Sequence, residues 1–192
     1  MKFTRASIED IIIIEPDIHG DSRGYFLESY REDKLEEFLG FKINFIQDNE
    51  SRSSRGVLRG LHYQLPPSAQ TKLVRVIKGS VLDVAVDIRK GSPTFGKHVS
   101  VELNSENKKQ LLVPRGFAHG FVVLEDDTIF AYKVDNYYSP ENDRGIAFDD
   151  DSLGIDWLVP KDELLLSAKD KTQPILSKTK DIFEYGVNYY NE

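Results

Sequence analysis

Val81-Leu82-Asp83-Val84-Ala85-Val86-Asp87-Ile88-Arg89 reads as a β-strand before anything else about the chain is known. Its apolar, largely β-branched residues recur with a period of two, which puts Leu82, Val84, Val86 and Ile88 on one face. Gly79-Ser80 opens the strand and Gly91-Ser92-Pro93 closes it, both turn-forming combinations. Outward from this stretch the pattern repeats. Val99 to Leu103, Leu111 to Val113, Phe121 to Leu124 and Ile129 to Val134 are short β-rich runs, with turns at Asn104 to Asn107 and at Glu125 to Asp127. Upstream, Ile11 to Glu15 forms another such run, followed by a loop around Pro16 to Arg23. Asp33 to Gly40 has helical spacing and ends at a glycine suited to the left-handed cap. From about Asp150 onward turns and short helical pieces take over, and no linker or internal repeat marks a second domain. Many short strands at close spacing predict an all-β sandwich or barrel with a few short helices, a single domain over residues 1–192, and not a parallel α/β sheet. Periodicity leaves the jelly roll and other sandwiches unresolved.

Composition narrows the function. A chain of 192 residues can bury a sizeable core without disulfides or metals. With no cysteine, thiolate metal sites and cysteine nucleophiles are excluded. A formal charge of −7 argues against nucleic-acid binding, which asks for a broad basic face. The first ten residues lack an apolar signal core, and Ile11 to Ile14 is far too short to span a bilayer, so the expected address is the cytoplasm, away from any membrane. The absence of a Gly-rich phosphate loop argues against a hydride-transferring dehydrogenase.

The chemistry gathers in Arg55-Gly-Val-Leu-Arg-Gly-Leu-His-Tyr-Gln64, where a lone arginine, a histidine and two glycines interrupt an apolar, strand-like run. Packing gives no reason for Arg59 or His62 there, whereas Arg52 and Arg55 suit a solvated strand edge equally well. Gln47-Asp48-Asn49-Glu50-Ser51 lies just upstream and Lys72 just downstream. A neutral imidazole takes a proton near neutral pH, so His62 is a candidate general base. Lys72 starts the apolar strand running to Gly79, and its ammonium is placed to stabilise an oxyanion formed when a proton is lost beside a ketone. A metal site is the rival reading of His62 and His119. It fits poorly: His62-Tyr63-Gln64 is not the His-x-His of a metal strand, and the Lys72 cation repels a divalent ion. No metal ligand and no cofactor is therefore expected.

Five motifs stand in order along the chain: His19-Gly20-Asp21-Ser22-Arg23-Gly24-Tyr25-Phe26, Gln47-Asp48-Asn49, the Arg59–His62 strand, Pro114-Arg-Gly-Phe-Ala-His-Gly-Phe121 and Leu166-Ser-Ala-Lys-Asp170. Together, from about Ile11 to Pro174, they resemble the dTDP-4-dehydrorhamnose 3,5-epimerases, sugar-nucleotide enzymes of the cupin superfamily. The resemblance implies a jelly roll (a double-stranded β-helix), and a homodimer that exchanges N-terminal strands. It pairs His62 with Asp170 and makes Tyr132 the acid on the opposite ring face. It makes His119 a substrate contact backed by Asp83, and turns Arg23 and Arg59 into diphosphate clamps. Phe26, Gln47 and Asn49 belong with the substrate contacts, Glu28 accepts from a pyrimidine N–H, and Tyr138 stacks on thymine. Asp143 and Lys169 match further substrate contacts more weakly, and at the Asp143 position the family often has glutamate. The implied reaction is inversion at C3 and C5 of a nucleotide-linked 4-keto-6-deoxyhexose. Inversion at one carbon and ketoisomerisation need the same base and clamp. A non-catalytic sugar-nucleotide-binding cupin would keep the arginines and lose His62 or Tyr132, both of which are present.

Overall fold

The structure is a computed structural model that describes residues 1–190. Asn191 and Glu192, the last two residues of the expected 1–192 domain, lie outside the described residues. The strands are β1 (Lys2–Arg5), β2 (Ile12–Glu15), β3 (Ile18–Asp21), β4 (Gly24–Leu27), β5 (Gln47–Ser53), β6 (Leu58–Gln64), β7 (Lys72–Lys78), β8 (Ser80–Asp87), β9 (Arg89–Lys90), β10 (His98–Asn104), β11 (Gln110–Val113), β12 (Phe117–Val123), β13 (Thr128–Val134), β14 (Asp143–Gly145) and β15 (Phe183–Glu184). Six of them form one antiparallel sheet in the order β1-β2-β11-β7-β13-β5, and five form a second in the order β10-β8-β12-β6-β14. The two sheets face one another as the walls of a cupin-type jelly roll.

The predicted turns occur as read, with Gly79 and Gly91 at φ 81° and 85°. The other strand ends fall within a residue of the reading, and four differences stand out. The Val81 to Arg89 run breaks after Asp87, because that carboxylate turns back to accept from the Arg89 backbone N–H at 2.9 Å and from Ser92 Oγ at 2.6 Å. The segment around Pro16 to Arg23 is no plain loop but most of a hairpin: β3 pairs with β4, and the Asp21 side chain accepts from the Arg23 N–H across the turn. β12 begins at Phe117, four residues before the predicted strand, so His119 sits on a strand rather than in a loop. Helix α1 spans Glu32–Leu39 and so starts one residue earlier than the sequence pattern, while Gly40 at φ 80° caps it as read, donating its N–H to the Glu36 carbonyl. Glu32 and Asp33 in its first turn suit the helix dipole.

Three apolar clusters hold the layers together. Val74, Val76, Val81, Ala85, Leu111, Phe121 and Phe130 fill the space between the sheets. Leu35 of α1 closes over Ile12, Ile14, Leu73 and Leu112 on the outer face of the six-stranded sheet. The residues after Phe148, three short 3-10 helices among them, cover the outer face of the five-stranded sheet, where Trp157, Leu176 and Phe183 meet Leu82, Val84, Val86 and Ile88. β8 is therefore buried along its whole length, on both faces. Each such Leu, Ile or Phe contributes roughly 1.5–3 kcal/mol when fully buried. Among the described residues, no helix is long and apolar enough to cross a membrane.

Candidate active site

Arg59 and His62 lie three apart on β6, and a regular strand would point them to opposite faces. They nevertheless share one cavity, because the strand carries an extra residue at Gly60. Leu58, Leu61 and Tyr63 all join the cluster on the outer face, which leaves Arg59 and His62 pointing inward. The register between β6 and β12 shifts at this point, between His119 and Phe121. Gly60 adopts φ 139°, and a Cβ on it would stand 2.5 Å from the Gly120 Cα; a Cβ on Gly120 would stand 2.9 Å from the Arg59 carbonyl oxygen. Two glycines in contact are what the irregularity requires.

The cavity holds about 370 Å³ and takes its lining from both sheets. Arg59 and His62 (β6) with His119 and Phe121 (β12) come from the five-stranded sheet. Asn49 and Ser51 (β5), Lys72 (β7), and Phe130 and Tyr132 (β13) come from the six-stranded one. Asp170 and Ser167 close it from the C-terminal segment.

His62 Nε2 meets Asp170 Oδ1 at 2.5 Å. A carboxylate only accepts, so the neutral imidazole carries its proton on Nε2 and its lone pair on Nδ1. Burial would raise the pKa of Asp170, but hydrogen bonds from His62 and Ser167 and the nearby charge of Lys169 outweigh it and hold the carboxyl below its usual range. Ser167, which the sequence reading leaves without a role, donates to Asp170 Oδ2 at 2.8 Å and accepts from the Asp170 N–H at 3.2 Å. The Ser-x-x-Asp spacing is the signal for that reciprocal turn. A second dyad lies alongside. His119 is the register partner of His62, and its Nε2 contacts both oxygens of the fully buried Asp83 at 2.9 and 3.0 Å. Each imidazole is thus taken up by its own carboxylate, and among the described residues no group of three or more His, Cys, Asp or Glu side chains is arranged around a metal position.

Across the cavity, burial lowers the Lys72 ammonium to about 8, against the opposing pull of Asp83 and Asp143. Burial also raises the Tyr132 phenol above its ordinary value of 10.0, in spite of the Arg59 charge, so its proton is retained at neutral pH. Arg59 is exposed to the cavity and, among the described residues, its side chain donates only to Ser53 Oγ, at 3.2 Å, which leaves most of its fork of N–H groups facing the cavity.

The remaining predicted residues stand outside this lining. Gln47 donates to Asn49 Oδ1 at 2.7 Å from the end of β5. Arg23 and Phe26 ride on the β3–β4 hairpin; the Arg23 side chain is 88% exposed and paired with Asp21, and Phe26 is 67% exposed. Glu28 follows the hairpin, paired with Arg31 at 3.1 Å and Lys34 at 3.8 Å. Tyr138, Asp143 and Lys169 form a separate cluster beside Asp170: the Tyr138 hydroxyl donates to Asp143 at 3.1 Å, and Lys169 pairs with the same carboxylate.

Inverting a carbon centre asks for a base on one face and an acid on the other, and a jelly roll with an imidazole–carboxylate pair on one wall and a protonated phenol on the facing wall has the groups that a racemase or epimerase needs. Within that class, a model of the dTDP-4-dehydrorhamnose 3,5-epimerase family matches residues 5–178. A dTDP-4-dehydrorhamnose 3,5-epimerase of Shigella flexneri is 55% identical over 170 residues, covering 88% of this chain and 93% of that protein. A dTDP-6-deoxy-D-glucose-3,5-epimerase of Legionella pneumophila, solved in complex with dTDP-4-keto-L-rhamnose, superposes with a TM-score of 0.93 at 47% identity, covering 97% of this chain and 99% of that one. A 3′-monoepimerase of Streptomyces bikiniensis, in complex with dTDP-quinovose, gives 0.84 at 36% identity, covering 90% and 86%. The chain belongs to the dTDP-4-dehydrorhamnose 3,5-epimerase family.

Proposed function

We propose that this protein inverts C3 and C5 of dTDP-4-dehydro-6-deoxy-D-glucose to give dTDP-4-dehydro-L-rhamnose, with no metal or redox cofactor. The observation that carries the reading is the placement of His62 and Tyr132 on opposite sheets of one cavity. The C4 ketone acidifies the hydrogens on both neighbouring carbons. His62 takes one through Nδ1 while Asp170 steadies the imidazolium; the C–H electron pair becomes an enolate whose oxygen the Lys72 ammonium stabilises. Tyr132 returns a proton to the other face and recovers its own from solvent, the His62 imidazolium releases the abstracted proton to solvent, and the sequence repeats at the second carbon. His119 supplies a polar contact from beside His62, its tautomer fixed by Asp83.

Arg59 is the diphosphate clamp within the chain. Arg23, Phe26 and Glu28 project on an exposed hairpin, a position that suits reaching a second subunit and supports a homodimer with exchanged N-terminal segments. Gln47, Asn49, Tyr138, Asp143 and Lys169 are assigned to the nucleotide and sugar. A doubly charged sugar nucleotide does not cross membranes unaided, which agrees with a cytoplasmic enzyme. Single-centre inversion is the second reading, favoured by the likeness to a 3′-monoepimerase. Turnover of the 4-keto sugar in deuterated water, followed by NMR, decides: deuterium at C3 and C5 with inversion at both is expected, label at one carbon alone selects the second reading, and no exchange at either sinks both.

A further inference from the structure

Lys72 begins β7, where it is in register with Val113 of β11 on one side and Val134 of β13 on the other. One buried knot ties the ends of these three neighbouring strands together. Asp135, directly after β13, accepts the backbone N–H of Thr71 at 2.6 Å. Its other oxygen accepts from Arg115, just past β11, at 3.2 Å; the two side chains are only 11% and 4% exposed. Thr71 itself is fully buried. A charge pair withdrawn from water in this way contributes little net stability, yet it fixes geometry, because either charge left alone is costly.

The C-terminal segment locks the knot from outside. β15 pairs in parallel with β9, and the Arg89 guanidinium lies 5.3 Å from the Tyr185 ring, which anchors the segment. Its end then runs back over the knot. The Tyr189 carbonyl accepts from Arg115 Nη1 at 2.5 Å, and the Tyr190 ring lies 5.0 Å from the same guanidinium. The Tyr190 hydroxyl reaches the Thr71 hydroxyl at 2.8 Å. The segment from Phe183 to Tyr190 lies beyond residues 5–178, the part matched by the family model, whereas the residues that it grips lie within that part. A segment outside the matched region therefore grips the residue next to the cavity ammonium.

We propose that Phe183–Tyr190 is a strap that sets the position of the Lys72 ammonium, with Tyr190, Arg115 and Asp135 as positioning residues that act through Thr71. The inference rests on the reading of Lys72 as the enolate-stabilising group. Its consequence is that loosening the strap degrades the chemical step while leaving the diphosphate contact of Arg59 alone, since Arg59 stands on the other sheet.

Two variants test this, each in the full chain: Tyr190→Phe, which removes one hydroxyl and keeps the ring, and Asp135→Asn. Titration of the Lys72 ammonium by NMR of 15N-lysine-labelled protein, assigned with Lys72→Arg, reads its environment without any substrate. The charges acting on it are Asp83, Asp143 and Lys169, with Glu50, Arg59, His62, His119, Tyr132 and Asp170 on the same cavity, and none of these is altered. For Tyr190→Phe we expect the midpoint to rise by about half a unit or more toward the ordinary lysine value as water gains access. We also expect kcat to fall about tenfold with KM nearly unchanged, as for a displaced catalytic group. Asp135→Asn should move both further. An unmoved midpoint and unchanged kcat in folded Tyr190→Phe would overturn the strap, even if Asp135→Asn proved too unstable to measure. Failure of the wild type to turn over the keto sugar would instead remove the proposed function, and the titration would still judge the strap.

Discussion

At neutral pH the ammonium of Lys72 is held in a site whose burial favours the neutral amine, so on its proposed role function and stability pull in opposite directions there. Its pKa falls from 10.5 to about 8 on folding, so the unfolded chain binds this proton more tightly. The penalty is present in full below pH 8, on the order of a few kcal/mol, and is relieved as pH rises from 8 to 10.5. Lys72→Met should accordingly melt at a higher temperature than wild type at pH 7 while losing nearly all turnover; a lower Tm would contradict the burial assignment. Activity has the opposite sign. On the proposed role the charged form is the useful one, so kcat/KM should decline as pH passes about 8, and in Lys72→Arg that basic limb should vanish from the accessible range. Tyr132→Phe probes the other side of the ring. With the acid gone and His62 intact, solvent deuterium should enter with configuration retained, whereas His62→Ala should show no exchange at all. Near wild-type inversion by Tyr132→Phe would make that residue a packing aromatic. Arg59→Ala should cost dTDP affinity on the order of a few kcal/mol by calorimetry, and unchanged affinity would remove it from the clamp.

At the level of elements, β6 is where the sequence was both most and least legible. The residue types in Leu58 to Gln64 mark it as a site, and its apolar positions mark it as a strand. Their three-residue spacing, however, contradicts a shared face for Arg59 and His62, and the resolution lies in the backbone of Gly60 against a glycine sixty positions away. A glycine inside a strand signals a bulge or a close approach, but not its partner. The same limit applies to His62 and Asp170, 108 residues apart: the dyad is a product of the fold, and only the motif order pointed to it. The reading of β12 failed for a related reason. Pro114, Arg115 and Gly116 look like loop, yet the strand that follows is recruited by long pairing with β8, which overrides the local pattern. Gly60→Ala should therefore be far more damaging than its size suggests, by roughly 2–4 kcal/mol from overpacking and strain at positive φ. Thermal melting checks this, and a Tm within a degree or two of wild type would mean that the strands yield more readily than their contact implies.

For the whole molecule, the two sheets and the hairpin make a prediction about assembly. Ile18, Tyr25 and Phe26 are exposed on β3 and β4, an apolar surface that a subunit standing alone leaves in water. Light scattering at micromolar concentration should give the mass of a dimer, and a monomer mass would sink the exchanged-segment reading. On the proposed roles the base, His62, stands on one sheet and the acid, Tyr132, on the other, so the plane between the sheets bisects the catalytic centre. Slipping one sheet by a single residue, about 3.3 Å, would spare every hydrogen bond within each sheet and still part donor from acceptor. The enzyme is in that sense an alignment gauge: under rising pressure or mild denaturant, turnover should fade while the far-UV signature of the strands is still intact.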